Sequence, residues 1–195
     1  GSSEHVTISA PNMKIASFDI QGTAPYVQLR FSEKAKAQMR ATQEAGSQAK
    51  KGKKREARNF LNDYKQCMYV AKDGSFGIPA GAFGNAMVRA CSMVDFKMTR
   101  AKMAIVVLAD TTDKTDGTQL VKIVGKPRMV EHTVRNANGS ADLRIRAMWD
   151  TWSTRLRIRY DADQFSITDV SNLLMRAGMQ VGIGEGRPAS KNSNG

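Results

Sequence analysis

The stretch that decides the fold is Leu143-Arg144-Ile145-Arg146-Ala147-Met148-Trp149-Asp150-Thr151-Trp152-Ser153-Thr154-Arg155-Leu156-Arg157-Ile158-Arg159-Tyr160. Leu143, Ile145, Ala147 and Trp149 alternate with Arg144, Arg146 and Met148. Trp152, Thr154, Leu156, Ile158 and Tyr160 then alternate with Ser153, Arg155, Arg157 and Arg159. Period two is the mark of a strand that buries one face. A two-residue turn at Asp150-Thr151 makes the pair a hairpin. It sets Trp149 beside Trp152, Ile145 beside Leu156 and Leu143 beside Ile158. The other face then opposes Arg146 to Arg155 and Arg144 to Arg157, with Asp142 opposite Arg159. Like charges opposed across strands destabilise a sheet, so solvent, carboxylates or phosphates must offset them. A guanidinium donates two parallel hydrogen bonds to a phosphate, which makes five arginines without a glutamate an anion-binding face. With no exposed Phe or Tyr pair for base stacking, backbone contacts with little base reading are expected.

After the hairpin, Ser166 is placed to cap a helix carrying Val170, Leu173, Leu174 and Ala177, with Gly178 as its stop. A strand over Met179–Ile183 is expected next. It runs into Gly182-Ile183-Gly184-Glu185-Gly186-Arg187-Pro188 and a polar tail over 189–195. A nucleotide-binding glycine motif opens a helix, whereas Pro188 and the tail follow here, which rules out a Rossmann site. Gly182, Gly184 and Gly186 still permit close backbone approach to a phosphate chain, with Arg187 beside them.

Before the hairpin, Ala82, Phe83, Ala86, Met87, Ala90, Cys91 and Val94 recur at helical spacing over 79–94. Ala104–Leu108 reads as a strand buried on both sides, Asp110–Gly117 as a polar loop, and Gln119–Val124 as another strand. Residues 60–70 are apolar again. Two short strands around Gly22 and Pro25 fill 4–31. Between them, Ser32 can cap a helix, yet over 33–58 Met39 is the one large apolar residue. A helix so polar buries no face of its own. The segment is therefore expected to be a basic inserted arm, densest at Lys50, Lys51, Lys53, Lys54, Arg55 and Arg58.

The chain has 195 residues, a net charge of +12 and a pI of about 10.0. A clustered cationic excess points to a polyanionic partner, nucleic acid before an anionic membrane surface. No apolar run reaches the ~18 to 20 residues of a membrane span, and Lys14 and Asp19 interrupt the early apolar stretch where a signal peptide would lie. Two cysteines, Cys67 and Cys91, suit a reduced cytoplasm. His5, His132 and those cysteines lack metal-ligand spacing, and neither a phosphate-binding loop motif nor a nucleophile elbow is present. Asp110, Asp113 and Asp116 read as Asx turns rather than a cation site. No catalytic residue, metal or cofactor is expected.

Several phrases together resemble an uncharacterised family encoded by bacteriophages and prophages: Phe31-Ser32-Glu33-Lys34-Ala35, Lys53-Lys54-Arg55-Glu56-Ala57, Gly77-Ile78-Pro79-Ala80-x-Ala82-Phe83 and Ala177-Gly178-x-x-Val181-Gly182-Ile183-Gly184-Glu185-x-Arg187-Pro188. More distantly, the C-terminal helix, strand and glycine-rich loop resemble the RAMP proteins of CRISPR systems. That resemblance implies an RNA-recognition-like core, subunits side by side on a nucleic-acid backbone, and Gly182, Gly184, Gly186 and Arg187 near that backbone. Relatives of the phage type are expected to continue past Arg187-Pro188 with a further glycine-rich stretch and a last strand, so this chain, which stops at Gly195, is expected to be truncated ahead of that strand.

The expected fold is a single α+β domain over 1–195: a ferredoxin- or RRM-like antiparallel sheet, the 79–94 and 166–177 helices on one face, and the arm 33–58. The expected function is binding single-stranded nucleic acid, DNA before RNA, largely without sequence preference. It is expected to act as a homo-oligomer in phage replication or recombination. Two alternatives stay open: a phage structural or host-defence-antagonist protein that meets an acidic protein partner, and a metal-dependent nuclease.

Overall fold

The structure is a computed structural model in which residues 5–45 and 57–190 are described. It is a mixed α+β arrangement of small antiparallel sheets and five α-helices. Its strands are β1 (Met13–Gln21), β2 (Tyr26–Gln28), β3 (Gly77–Pro79), β4 (Ile105–Leu108), β5 (Thr111–Thr112), β6 (Gln119–Lys122), β7 (Arg128–Arg135), β8 (Ala141–Trp149) and β9 (Ser153–Asp161). The helices are α1 (Glu33–Ala45), α2 (Phe60–Gln66), α3 (Ala80–Ala90), α4 (Met98–Ala104) and α5 (Ile167–Arg176).

Three three-stranded sheets result, in the orders β1-β9-β4, β2-β8-β7 and β3-β6-β5. The 143–160 stretch does form two strands, but they do not form a hairpin. β8 becomes the centre of one sheet and β9 the centre of another. The reason lies at the connection. The favoured two-residue hairpin turns need positive φ at the first or at both central residues. Neither Asp150 nor the β-branched Thr151 adopts it; among the described residues Asp95 is the one non-glycine that does. The chain instead turns a corner between sheets, with Trp149 and Trp152 both buried at it. Gly125, at φ +140°, makes room for that corner: a Cβ there would lie 2.6 Å from the Thr151 carbonyl oxygen. At Gly22 a Cβ would meet the Trp152 indole, whose Nε1 donates to the Ala24 carbonyl.

The core gathers the inner faces of the sheets with α3 and α5. Leu156 and Ile158 of β9, Ile105 and Val107 of β4, Phe83 and Met87 of α3, and Val170 and Leu173 of α5 belong to one buried cluster. The helical spacing of the 79–94 stripe is borne out over Ala80–Ala90, all of whose apolar stripe residues inside α3 except Ala82 are buried. Ser166 caps α5 as expected, in a reciprocal capping box with Asp169. Gly178 does not stop this helix. A π-helical turn over Ala177–Val181 carries it on, and Gly182 at φ +72° ends it, so the strand expected over Met179–Ile183 is absent. β4 is also not buried on both faces: Val106 is 37% exposed, and among the described residues no layer covers its outer side.

Helix α1 covers the first half of the arm expected over 33–58, and 46–56 lie outside the described residues. Ser32 caps it through the Ala35 N–H, and it buries no residue. Its root is held by charge: Arg30, whose side chain is 6% exposed, pairs with Glu33, Asp113 and Asp116, and Lys36 pairs with Glu33 and Asp116. Among the described residues no helix is long and apolar enough to cross a membrane.

Candidate nucleic-acid interface

The arginines of 143–160 separate into three environments. Arg155, Arg157 and Arg159 project from the outer face of β9, every second residue, with spacing of roughly 7 Å. Helices lie on the inner side of this sheet, and among the described residues nothing covers its outer face. On β1, Ile15, Ser17 and Asp19 stand beside Arg159, Arg157 and Arg155; on β4, Val106 and Leu108 stand beside Arg159 and Arg157. Ile15 is 62% exposed. Arg159 thus sits between two exposed aliphatic side chains, and the face holds no aromatic residue.

Two of the three have a carboxylate neighbour. Arg155 donates from Nε to Asp19 at 2.8 Å, and this pair is exposed at both ends. The contact raises the Arg155 pKa and lowers that of Asp19. Arg157 donates to the Ala109 carbonyl at 3.0 Å and lies 3.5 Å from Asp110. Exposed pairs of this kind are screened by solvent, so a phosphate can replace them at small cost.

Arg146 is different, and the expectation that it faces a ligand is corrected. It is 6% exposed, and its Nε binds the Glu185 carboxylate while NH1 donates to the Ile145 carbonyl. Its β7 partner is Val130, not Arg155. Arg144 is exposed beside His132 on β7, not opposite Arg157. The hairpin register would have opposed like charges; the observed one sets Arg155 beside Asp19 instead, which is favourable. Asp142, expected to face Arg159, pairs with Arg58.

Arg58 is likewise a strut. It pairs with Asp63 and Asp142 and donates to the Leu143 carbonyl at 2.6 Å, joining the start of α2 to β8. Lys50, Lys51, Lys53, Lys54 and Arg55 lie outside the described residues.

The glycine loop folds inward. The Glu185 N–H donates to the Val27 carbonyl, and a Cβ at Gly184 would lie 2.7 Å from that oxygen and from the Tyr26 ring. At Gly182 a Cβ would meet Pro188 at 2.8 Å, whereas at Gly186 it would meet nothing. Gly182 and Gly184 are therefore required by packing, and the expectation that they approach a phosphate is not needed to explain them. Arg187 donates to the Gly184 carbonyl at 3.0 Å. It also lines a shallow cleft with Asn85 and Arg89 of α3. The sequence reading missed Arg89, Ile15 and Val106. Arg89 could have been found as the cation standing off the apolar stripe of α3.

The aspartates of 110–116 are occupied within the fold. Asp113 is buried and accepts from the N–H groups of Val70, Thr115 and Asp116. Burial works to raise the Asp116 pKa, but Thr118, Lys36 and Arg30 outweigh it and hold this carboxyl well below the usual range. Among the described residues no cluster of His, Cys, Asp and Glu is arranged to hold a metal ion. No protein-family model matches the chain, and no curated protein matches it in sequence.

Proposed function

We propose that the protein binds the backbone of single-stranded nucleic acid on the outer face of the β1-β9-β4 sheet. The observation that carries this reading is the row Arg155, Arg157, Arg159 on the exposed face of a helix-backed sheet. Fixed on the central strand, these side chains lose less freedom on binding than charges on a free segment. Ile15 and Val106 offer apolar contact beside the arginines, and the lack of aromatic residues favours phosphate over base recognition. Supporting it further, the chain order β1, α3, β4, β9, α5 with sheet order β1-β9-β4 is what three strands of a ferredoxin- or RRM-like βαββαβ unit would give. In this reading the strand is coated or annealed during phage replication or recombination, with the lysines of the arm adding non-specific attraction.

The test is a set of binding isotherms for mixed-sequence single-stranded and duplex DNA and RNA across a salt series. Tighter binding to single strands, with log–log salt slopes of about −0.7 per phosphate contacted, is the expected result. Salt-independent affinity, or no binding, would overturn it and favour an acidic protein as the partner.

A further inference from the structure

Among the described residues the β1 edge of the β1-β9-β4 sheet, where a fourth strand of the βαββαβ unit would lie, is unpaired, and residues 5–12 have the pattern to fill it. β1 pairs along its whole length with β9, and no described strand pairs with its other side. The open edge is nine residues long and free of proline. On its inner side Phe18 and Ile20 are only partly buried, so the core is thinly covered there. The other long edge, β7, carries Arg128, Glu131, His132 and Arg135, the charges that blunt an edge against pairing.

Immediately before β1, residues 5–12 form no regular structure, and every one of them is exposed. Val6 is 86% and Ile8 88% exposed. The run Val6-Thr7-Ile8-Ser9 alternates β-branched apolar and polar residues, as a half-buried strand does. Carried back from β1 at period two, Val6, Ile8 and Ala10 fall on the same face as Ala16, Phe18 and Ile20, the core side of the sheet.

We propose that two copies of the chain form a symmetric dimer in which residues 5–12 of each copy add as a strand to the β1 edge of the other. The pairing is antiparallel, with Met13 on the two-fold axis. This register sets Val6 beside Ile20, Ile8 beside Phe18, Ala10 beside Ala16 and Asn12 beside Lys14. Every apolar residue of the segment meets an apolar neighbour, and the one cation meets an amide. Moving the axis to Lys14 would oppose two lysines, which disfavours that alternative. Pro11 falls opposite Ile15 with its missing N–H on the pairing side, so the ladder gives up one bond there. Strand addition supplies backbone hydrogen bonds to groups otherwise left to water, and the isologous pairing closes the assembly at two copies.

The two-fold axis is perpendicular to the joined sheet, so both Arg155–Arg159 rows face the same way. Their centres stand roughly 14 Å apart across the strands and roughly 26 Å along them.

The test needs no nucleic acid, so its outcome is separate from the binding reading above. Sedimentation velocity over a concentration series should show a dimer, and Val6→Lys with Ile8→Lys should weaken association by about tenfold or more. The melting curve of the monomeric variant should show that the domain itself stays folded. Met13→Cys should oxidise to a covalent dimer, lost in the Val6→Lys, Ile8→Lys background; the native Cys67 and Cys91 are buried and do not compete. A monomer at every concentration would overturn the proposal. So would an unchanged dimer in the lysine variant, or cross-linking through Ser17→Cys in place of Met13→Cys.

Discussion

Replacing Arg157 and Arg159 together by Gln removes two charges of the β9 row without touching the core. Both are exposed on the sheet's outer face. Arg157 gives up a 3.0 Å bond to the Ala109 carbonyl and a 3.5 Å approach to Asp110, each worth well under ~1 kcal/mol at this exposure. Melting should therefore shift by no more than about 4 °C. Binding should change much more. Each single-strand phosphate contact contributes about −0.7 to the slope of log affinity against log salt, so two contacts remove about 1.4 from the slope. Between about 50 and 200 mM salt, a fourfold change, the wild type should then lose about sevenfold more affinity than the variant. Fluorescence anisotropy with a labelled mixed-sequence oligonucleotide over that range measures both slopes. Arg155 is left in place because Asp19 engages it; Asp19→Asn should release it and strengthen binding at low salt. Equal slopes for wild type and double variant would refute the assignment of this face.

Four further outcomes follow from the geometry. Glu185→Gln strands the buried Arg146 guanidinium and should cost about 3 kcal/mol in denaturant unfolding, whereas Arg146→Gln leaves the half-exposed Glu185 free to meet water and should cost less. Gly125→Ala combines a positive-φ position with a 2.6 Å approach to a backbone oxygen and should also lower stability by about 3 kcal/mol, seen as a lower Tm. The Asp116 carboxyl has a folded pKa below its unfolded one, so its contribution is present above about pH 4 and is lost as pH falls toward the folded value. Unfolding measured between pH 5 and pH 2 (an approximate acid range) should accordingly show a shallower decline in Asp116→Asn than in wild type. Lys50→Gln with Lys51→Gln should weaken oligonucleotide binding by less than the β9 double variant, since the β9 arginines are fixed on a central strand and lose little freedom on binding; a larger loss in the lysine variant would show that the arm dominates.

Much of the local structure is legible in the sequence because it depends on neighbours along the chain. The period-two runs of 143–160 give strands, the three- and four-residue spacing of Phe83, Ala86, Met87 and Ala90 gives a helix, and Ser166 with Asp169 gives a capped start. The absence of an apolar stripe after Ser32 tells that α1 stands off the core. Each follows from side-chain periodicity or from a hydrogen bond that closes within four residues. What the sequence does not carry is which strands meet. Alternation shows that Leu156 and Ile145 both face inward, but β8 and β9 could satisfy it with each other or with four different partners. The choice rests on Asp150 and Thr151 avoiding the left-handed region, on Gly125 leaving space at the corner, and on β1 bringing Asp19 to Arg155. Those contacts span up to 136 residues. One series of arginines thereby becomes a buried strut at Arg146, a flank at Arg144 and an open row at Arg155, Arg157 and Arg159, because burial is a property of the layer packed over a side chain and not of the side chain itself.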